Sequence, residues 1–349
     1  MKLAKKSKYN VAVMGATGAV GTVFLSILEE RKFPINNIKF LASSRSAGKK
    51  VIFKGAEHPV DVLDVNSFGD IDIVLASAGA SRSLEFLPHA VRSGAVCVDN
   101  SSAFRMDKDV PLVVPEVNPH MIKKHKGIIA NPNCSTIQMV LPLCAINKAA
   151  GLKRVVVSTY QSVSGAGQAS MHEMEFQNKA LSGRNDLYAV GNHTAKREDI
   201  VKFKHQIAFN LIPQIDVFTE NFYTKEEMKM VHETRKIMEI PRLKLTATCV
   251  RVPVFYSHSE CVNVETKEKI SREEVIRILK KFGGVTVVED TANCQYPMPL
   301  QAEGKDDVFV GRIREDESVK NGLNMWVVSD NIRKGAALNA VQIAEKLIG

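Results

Sequence analysis

No apolar run in this chain approaches the ~20 residues that a membrane-crossing helix needs, which excludes a helical membrane protein. The six cysteines, at positions 97, 134, 144, 249, 261 and 294, are scattered with no C-x-x-C pair. That argues against a disulfide framework or a zinc site, so no metal is expected, and for a reducing, cytoplasmic setting. Aromatic residues make up only 6% and form no interleaved aromatic–basic stretch. The net charge of +9 is therefore read as a solvated surface with a few cations serving small anions, not as a nucleic-acid face. The first eight residues, MKLAKKSK, are basic but lack the apolar h-region of a secretory signal, and no function is attached to them. Internal repeats and low-complexity segments are also lacking.

What is present fits a globular protein: 45% hydrophobic and 24% charged residues, with a length of 349 residues that suggests two domains. Tyr9 to Met14 reads as a strand and leads into Gly15-Ala16-Thr17-Gly18-Ala19-Val20-Gly21. The following helix has apolar residues at Val20, Val23, Phe24, Ile27 and Leu28, the stripe of an amphipathic helix. Glycines between strand and helix let the backbone approach a pyrophosphate resting on the helix N-terminus. The next strand, Ile38 to Ala42, ends in Ser43-Ser44-Arg45-Ser46-Ala47-Gly48-Lys49 instead of the acid that would hold a ribose 2′-OH. Hydroxyls and cations there suit the 2′-phosphate of NADP; a plain polar turn is the alternative.

Strand-like runs at 71–76, 95–99 and 112–115, with a helical pattern over 81–93, imply a doubly wound parallel sheet. Ser77-Ala78-Gly79 and Asn100 to Arg105 follow strand ends, where ligands bind in such sheets. Arg105 is either an anion clamp or a surface arginine. At the centre lies Asn131-Pro132-Asn133-Cys134-Ser135-Thr136, between a strand at 127–130 and a helix at 137–150, with Pro142 expected to kink or end that helix. A thiol at a helix N-terminus gains nucleophilicity from the amide dipoles, whereas Cys97 and Cys144 read as core. Residues 1–133 and 330–349 are expected to form one domain and 134–329 the other.

In the second domain the strand 154–160 runs into Gln161-Ser162-Val163-Ser164-Gly165-Ala166-Gly167. Gln161 is an amide able to orient a carbonyl, or simply a strand-end glutamine. Thr224 is a plausible cap for a helix opening Lys225-Glu226-Glu227-Met228-Lys229. Glu226 and Lys229 share one face, as a solvated pair or a substrate dyad. Strands at 245–250 and 261–265 bracket Arg251 and His258, a bidentate carboxylate clamp and a base. Seven apart, they would point to opposite faces of a regular strand, so a bend near Pro253 is required if both face one pocket. Residues 287–316 read as turn-rich, Trp326 to Val328 as a last strand, and 333–348 as a helix that returns to the first domain.

Together G-A-T-G-A-V-G, N-P-N-C-S-T, Q-S-V-S-G-A-G, E-E-M-K, R-V-P-V followed by H-S-E, and D-N-I-R-K-G-A-A-L-N-A-V-Q-I-A-E resemble the aspartate-β-semialdehyde dehydrogenase family over nearly the whole chain. The resemblance implies an α/β fold: an N-terminal Rossmann-type doubly wound sheet and an α+β catalytic and dimerisation domain. It implies reversible NADP-dependent reductive dephosphorylation of L-aspartyl-4-phosphate to aspartate semialdehyde, in lysine, threonine and methionine biosynthesis, by a homodimer or homotetramer. Carried over residue by residue, Cys134 matches the nucleophile, His258 the acid/base and Gln161 the orienting amide. Arg251 and Glu226 match the groups that hold the amino-acid end, and Arg105, Asn133 and Lys229 the phosphate set. The cofactor set is Gly15, Thr17, Gly18, Ala19, Val20, Gly21, Ser43, Ser44, Arg45, Ser77, Gly79, Ser164, Gly165 and Asn331. The N-terminal extension before Tyr9 departs from the family pattern. An N-acetylglutamyl-phosphate reductase is the nearest rival, set apart by the E-E-M-K and R-V-P-V pairing. A catalytically silent NADP-binding homologue is the rival of another class, disfavoured by the intact Cys134 and His258.

Overall fold

β1 (Tyr9–Met14) sits centrally in a seven-stranded sheet because its side chains are apolar on both faces. Val11 and Val13 enter one core cluster, Ala12 and Met14 the other. A strand buried on both sides needs helices on both sides. The computed structural model of the chain describes residues 3–183 and 189–349. The first two residues of the basic N-terminal stretch lie outside them.

The remaining strands of this sheet are β2 (Ile35–Ala42), β3 (Lys50–Phe53), β4 (Ala56–Val62), β5 (Ile73–Ala76), β6 (Val96–Asp99) and β7 (Ile128–Ala130), in the order β3-β4-β2-β1-β5-β6-β7. Every pairing is parallel except that of the β3–β4 hairpin. α1 (Ala19–Glu30) packs Phe24, Ile27 and Leu28 on one face, together with residues 337–344 of the C-terminal segment. α2 (Ala80–Arg92) packs Phe86, Leu87 and Ala90 on the other. This is the doubly wound sheet expected from the alternating pattern.

α3 (Cys134–Ala150) follows β7. Its helical span begins at the cysteine itself and continues past Pro142 to Ala150, because residues 137, 139–141, 143 and 146 are fully buried and hold it in place. The run at 112–115 is not a strand. Leu112 makes a single bridge to Ala130, and the Asn118 side chain takes the backbone groups a neighbour would have used, accepting from Val114 N at 2.9 Å and donating to Leu112 O at 2.9 Å.

A second, six-stranded sheet contains β8 (Leu152–Gln161), β9 (Lys244–Arg251), β10 (His258–Thr266), β11 (Val285–Val287), β12 (Val308–Asp316) and β13 (Gly322–Ser329), in the order β11-β12-β13-β10-β8-β9. The chain also forms α4 (Gln168–Ser182), α5 (Lys225–Ile237), α6 (Arg272–Lys280) and α7 (Pro299–Ala302). β12 corrects the turn-rich reading of 287–316. Its buried Val308, Val310 and Ile313 are masked in sequence by exposed Arg312 and Arg314 and by a register shift after Gly311. The chain closes with a π-helical turn, Arg333–Leu338, and α8 (Asn339–Ile348).

The chain divides into two compact units. One comprises Met1–Cys144, His232–Arg242 and Ile332–Gly349, the other Ala145–Val231 and Leu243–Asn331. The sequence division placed its breaks at 133/134 and 329/330. Residues 134–144 and 232–242 instead group with the first unit, the latter because Glu233 and Lys236 bond to the segment 100–133.

Candidate active site

In the first unit, a cleft of about 590 Å³ lies over the C-terminal ends of β1, β2 and β5. It is lined by seven residues of the expected cofactor set: Gly15, Thr17, Gly18, Ser43, Ser44, Arg45 and Ser77. The glycine turn is built for close approach. Gly15 has φ +89, and a Cβ there would lie 2.6 Å from Ser77 O; one on Gly21 would lie 2.2 Å from Gly15 O. Gly21 therefore packs α1 against the turn, while Ala19 and Val20 open the helix. These three, and Gly79 at the start of α2, are not among the lining residues. Ser46, of the 43–49 stretch, and Arg82 are, and sequence reasoning missed Arg82. The clue for Arg82 was its place in the first turn of a helix that begins just after a strand end. Hydroxyls, two guanidinium groups and backbone amides at the N-terminus of α1 form a donor set that fits a dinucleotide carrying an extra phosphate.

The same unit holds the nucleophile candidate. Asn133 is the N-cap of α3: its Oδ1 accepts from Ser135 N at 3.0 Å and Thr136 N at 3.2 Å. Such capping leaves half-buried Cys134 in the first turn, where the helix dipole favours a thiolate. The hydroxyls of Ser135 and Thr136 are buried with no hydrogen-bond partner among the described residues. Gly335 backs the cysteine, since an added Cβ there would stand 2.8 Å from Cys134 Cβ. The π-helical turn makes this approach possible. Its bond from Ala337 N to Ile332 O is 2.9 Å, and Asn131 Nδ2 takes Ala336 O at 3.1 Å.

Arg105 is buried. Its Nη1 donates to Glu233 Oε1 at 3.1 Å and its Nη2 to Asn100 O at 2.9 Å. Its Nε is buried with no partner among the described residues. Lys236 Nζ holds the carbonyls of Arg105, Asp107 and Val110 at 2.7–2.8 Å. Burial lowers that ammonium below its ordinary value against the opposing pull of Asp107 and Glu233.

In the second unit, Gln161, Arg251 and His258 come together at the C-terminal end of β8. Gln161 pairs with Arg251 in the parallel register of β9, and Tyr160 with Ser259 on the antiparallel side. The bend expected at Pro253 is not a bend within one strand. Arg251 ends β9, His258 begins β10, and the six-residue connection runs along 161–164, giving Val163 N and Ser164 N the carbonyls of Val254 and Phe255 before turning at Ser257 with φ +69. The two side chains meet over Gly165, where an added Cβ would come within 3.2 Å of Arg251 Nη1 and His258 Nε2.

Ser162 ties the pair. Its carbonyl accepts from Arg251 Nη1 at 2.6 Å, and its N–H donates to His258 Nδ1 at 3.0 Å. A backbone N–H can only donate, so Nδ1 carries the lone pair and the neutral ring holds its proton on Nε2. Full burial, reinforced by the Arg251 charge, pushes His258 well below its ordinary value of 6.5; the Ser257 backbone opposes this. Ser164 and Asn331, expected at the cofactor, support the same ring. Asn331 Oδ1 accepts from Ser162 Oγ at 3.0 Å, Ser164 Oγ at 3.2 Å and Ser257 N at 2.9 Å.

Gln161 Nε2 donates to Glu226 Oε1 at 3.2 Å, and Lys229 Nζ bonds Glu226 Oε2 at 3.1 Å and Asp216 Oδ2 at 3.0 Å. Burial works to lower the Lys229 ammonium, but the two carboxylates outweigh it and hold it above its ordinary value. The α5 cap places this dyad. Thr224 N donates to Glu227 Oε2 at 2.6 Å, and Glu227 Oε1 accepts from Cys249 N of β9 at 3.0 Å. The structure thus brings Gln161, Glu226 and Lys229 into one chain of contacts.

Comparison with known proteins adds an independent line. Residues 10–125 match the family model described as semialdehyde dehydrogenase, NAD binding domain, and residues 143–334 that described as semialdehyde dehydrogenase, dimerisation domain. An aspartate-semialdehyde dehydrogenase of Aquifex aeolicus is 57% identical over 97% of this chain and 98% of its own. One of Bacillus subtilis is 51% identical over 97% of each chain. Aspartate semialdehyde dehydrogenase II from Vibrio cholerae is similar in structure, with TM-score 0.91, 48% identity and 98% of both chains covered. The Candida albicans aspartate semialdehyde dehydrogenase solved with NADP has TM-score 0.73 and 27% identity, with 98% of both chains covered.

Proposed function

The chain belongs to the aspartate-semialdehyde dehydrogenase family, and from that premise we propose that it catalyses the reversible NADP-dependent reductive dephosphorylation of L-aspartyl-4-phosphate to L-aspartate 4-semialdehyde. The observation that carries this reading is a cysteine in the capped first turn of α3, backed by Gly335, in a chain whose neutral histidine is fixed beside an arginine.

Cys134 attacks the acyl carbon of the substrate, the C–O bond to phosphate breaks, and a thioester forms on sulfur. Arg105, Lys229 and Asn133 take the departing phosphate. Arg251 grips the α-carboxylate and Glu226 the α-amino group, while Gln161 orients the acyl oxygen. NADPH, when bound at the cleft over β1, would supply a hydride to the thioester carbon; the C–S bond then breaks, which releases the semialdehyde and returns the Cys134 thiolate. His258 exchanges protons through Nε2, because Nδ1 is occupied by Ser162 N–H. The same set run backwards forms the acyl phosphate from semialdehyde, phosphate and NADP.

The chain is proposed to act as at least a homodimer in the cytoplasm, in lysine, threonine and methionine biosynthesis, with neither nucleic acid nor membrane as partner. Among the described residues no helix is long and apolar enough to cross a membrane. Sedimentation of the purified protein tests the assembly; a monomer at micromolar concentration would sink that part. Activity is tested by NADPH formation from aspartate semialdehyde and phosphate. Cys134→Ser is expected to abolish turnover, a loss of at least about 10³-fold, with NADP binding retained. Turnover surviving in that variant would refute the nucleophile.

A further inference from the structure

α5 carries two carboxylates on one face, Glu226 and Glu233, seven residues apart. The first belongs to the substrate set above; the second has no role in it. Glu233 has a side chain only 1% exposed, and burying a carboxylate there is costly unless each oxygen is matched. Both are matched, and to different things. Oε1 accepts from Arg105 Nη1 at 3.1 Å, and Oε2 accepts from Asn133 N at 2.7 Å. One carboxylate therefore joins the guanidinium expected to receive phosphate to the peptide that immediately precedes the nucleophile. Asn133 in turn fixes the helix start through Ser135 N and Thr136 N. One turn further along α5, Lys236 binds three carbonyls of the Arg105 loop, so the loop is held from two adjacent positions on the helix.

We propose that Glu233 is a positioning residue for the reaction, whose two carboxylate oxygens hold the Arg105 guanidinium and the Asn133 peptide at a fixed separation, so that phosphate leaves and enters in register with the Cys134 sulfur. The proposal rests on Cys134 being the nucleophile. The pairing also explains how an arginine can be kept deep in the protein between turnovers with its orientation fixed. Two of its five N–H donors are used in these bonds, which leaves guanidinium donors for the phosphate. A glutamine at 233 cannot do the same job. It offers one acceptor oxygen to two donors, and its amide nitrogen would face either the guanidinium or the peptide N–H.

The test is Glu233→Gln in the full-length enzyme, compared with wild type in NADPH formation from aspartate semialdehyde and phosphate. We expect kcat to fall about tenfold or more and the phosphate KM to rise about fivefold, with the NADP KM within about twofold, because only the first two depend on the held geometry. A purely structural glutamate would lower the melting temperature and leave the constants of the folded enzyme unchanged. A second readout needs no turnover: the phosphate concentration that half-protects Cys134 from iodoacetamide should rise by about the same factor as the phosphate KM. Wild-type kcat, phosphate KM and half-protection in the variant would overturn the proposal. If the glutamine variant does not fold, Glu233→Asp keeps the buried charge but is too short to hold both donors, and wild-type constants in that variant would overturn it equally. Failure of wild type to turn over would instead sink the enzymatic reading itself, an outcome separate from an active wild type with an unaffected variant.

Discussion

At the scale of single residues, the cysteines differ by environment more than by sequence context. Burial, with Asp99 nearby for one and Glu226 for the other, pushes the Cys97 and Cys249 thiols up, and Cys144 is packed in α3. Cys134 is half-buried at a capped helix start. Iodoacetamide at pH 7, followed by peptide mass spectrometry, should label Cys134 ahead of exposed Cys294 and leave Cys97, Cys144 and Cys249 unlabelled in folded protein. Equal rates at Cys134 and Cys294 would remove the case for activation.

His258 gives a pH prediction at the same scale. Its folded value lies below the ordinary 6.5, so above about pH 6.5 both states are neutral and it contributes nothing to pH dependence. As pH falls below that, the unfolded chain takes up a proton that the folded chain refuses, and stability declines. Glutamine at 258 can still accept from Ser162 N–H and cannot protonate. His258→Gln should therefore show a shallower loss of stability than wild type between about pH 6.5 and 5 in urea titrations. Parallel curves would contradict the buried neutral ring. None of this was legible in sequence: His258 could be named as a base, but the atom that accepts from Ser162 is set by a contact across 96 residues.

Among the elements, the β1–turn–α1 unit was readable because its signals are local: an apolar strand, three glycines and a 3.6-period stripe. The expected strand bounds, Tyr9 to Met14, are those observed. The reason each glycine is needed was not readable. Gly21 is required because an added Cβ would stand only 2.2 Å from Gly15 O, too close for any side chain. Gly21→Ala should push the helix N-terminus off the turn and cost about 1–3 kcal/mol of stability, with NADP affinity falling by about tenfold or more in fluorescence titration; unchanged affinity would show that the turn does not carry the pyrophosphate. Elements misjudged from sequence failed for non-local reasons. The 112–115 run keeps a single bridge to β7, while the Asn118 side chain holds the backbone groups on its other edge. β12 hid its period-two pattern behind a register shift and outward charges.

For the molecule as a whole, the cleft of the first unit predicts which dinucleotide stabilises the protein. The serines after β2 and the guanidinium groups of Arg45 and Arg82 line it. NADP at about 100 times its Kd should raise unfolding free energy by about 2.7 kcal/mol, with NAD at equal concentration giving less. Arg45→Ala should remove most of that difference in calorimetric melting curves. Equal shifts with the two dinucleotides in wild type would return the 43–49 segment to a plain polar turn.

The parts of this protein with local causes could be read along the chain. These are the doubly wound first sheet, the glycine turn, the strand-to-helix junction that carries Cys134, and the family to which their order belongs. Folding in three dimensions settled whatever depends on residues meeting from far apart. It assigned residues 232–242 to the first unit, placed Arg251 and His258 at adjoining strand ends on either side of β8, and set Gly335 behind the sulfur. It also gave Glu233 its two partners. The reason is physical: periodicity and capping act over a few residues, whereas a buried charge is satisfied only by the groups that folding brings to it.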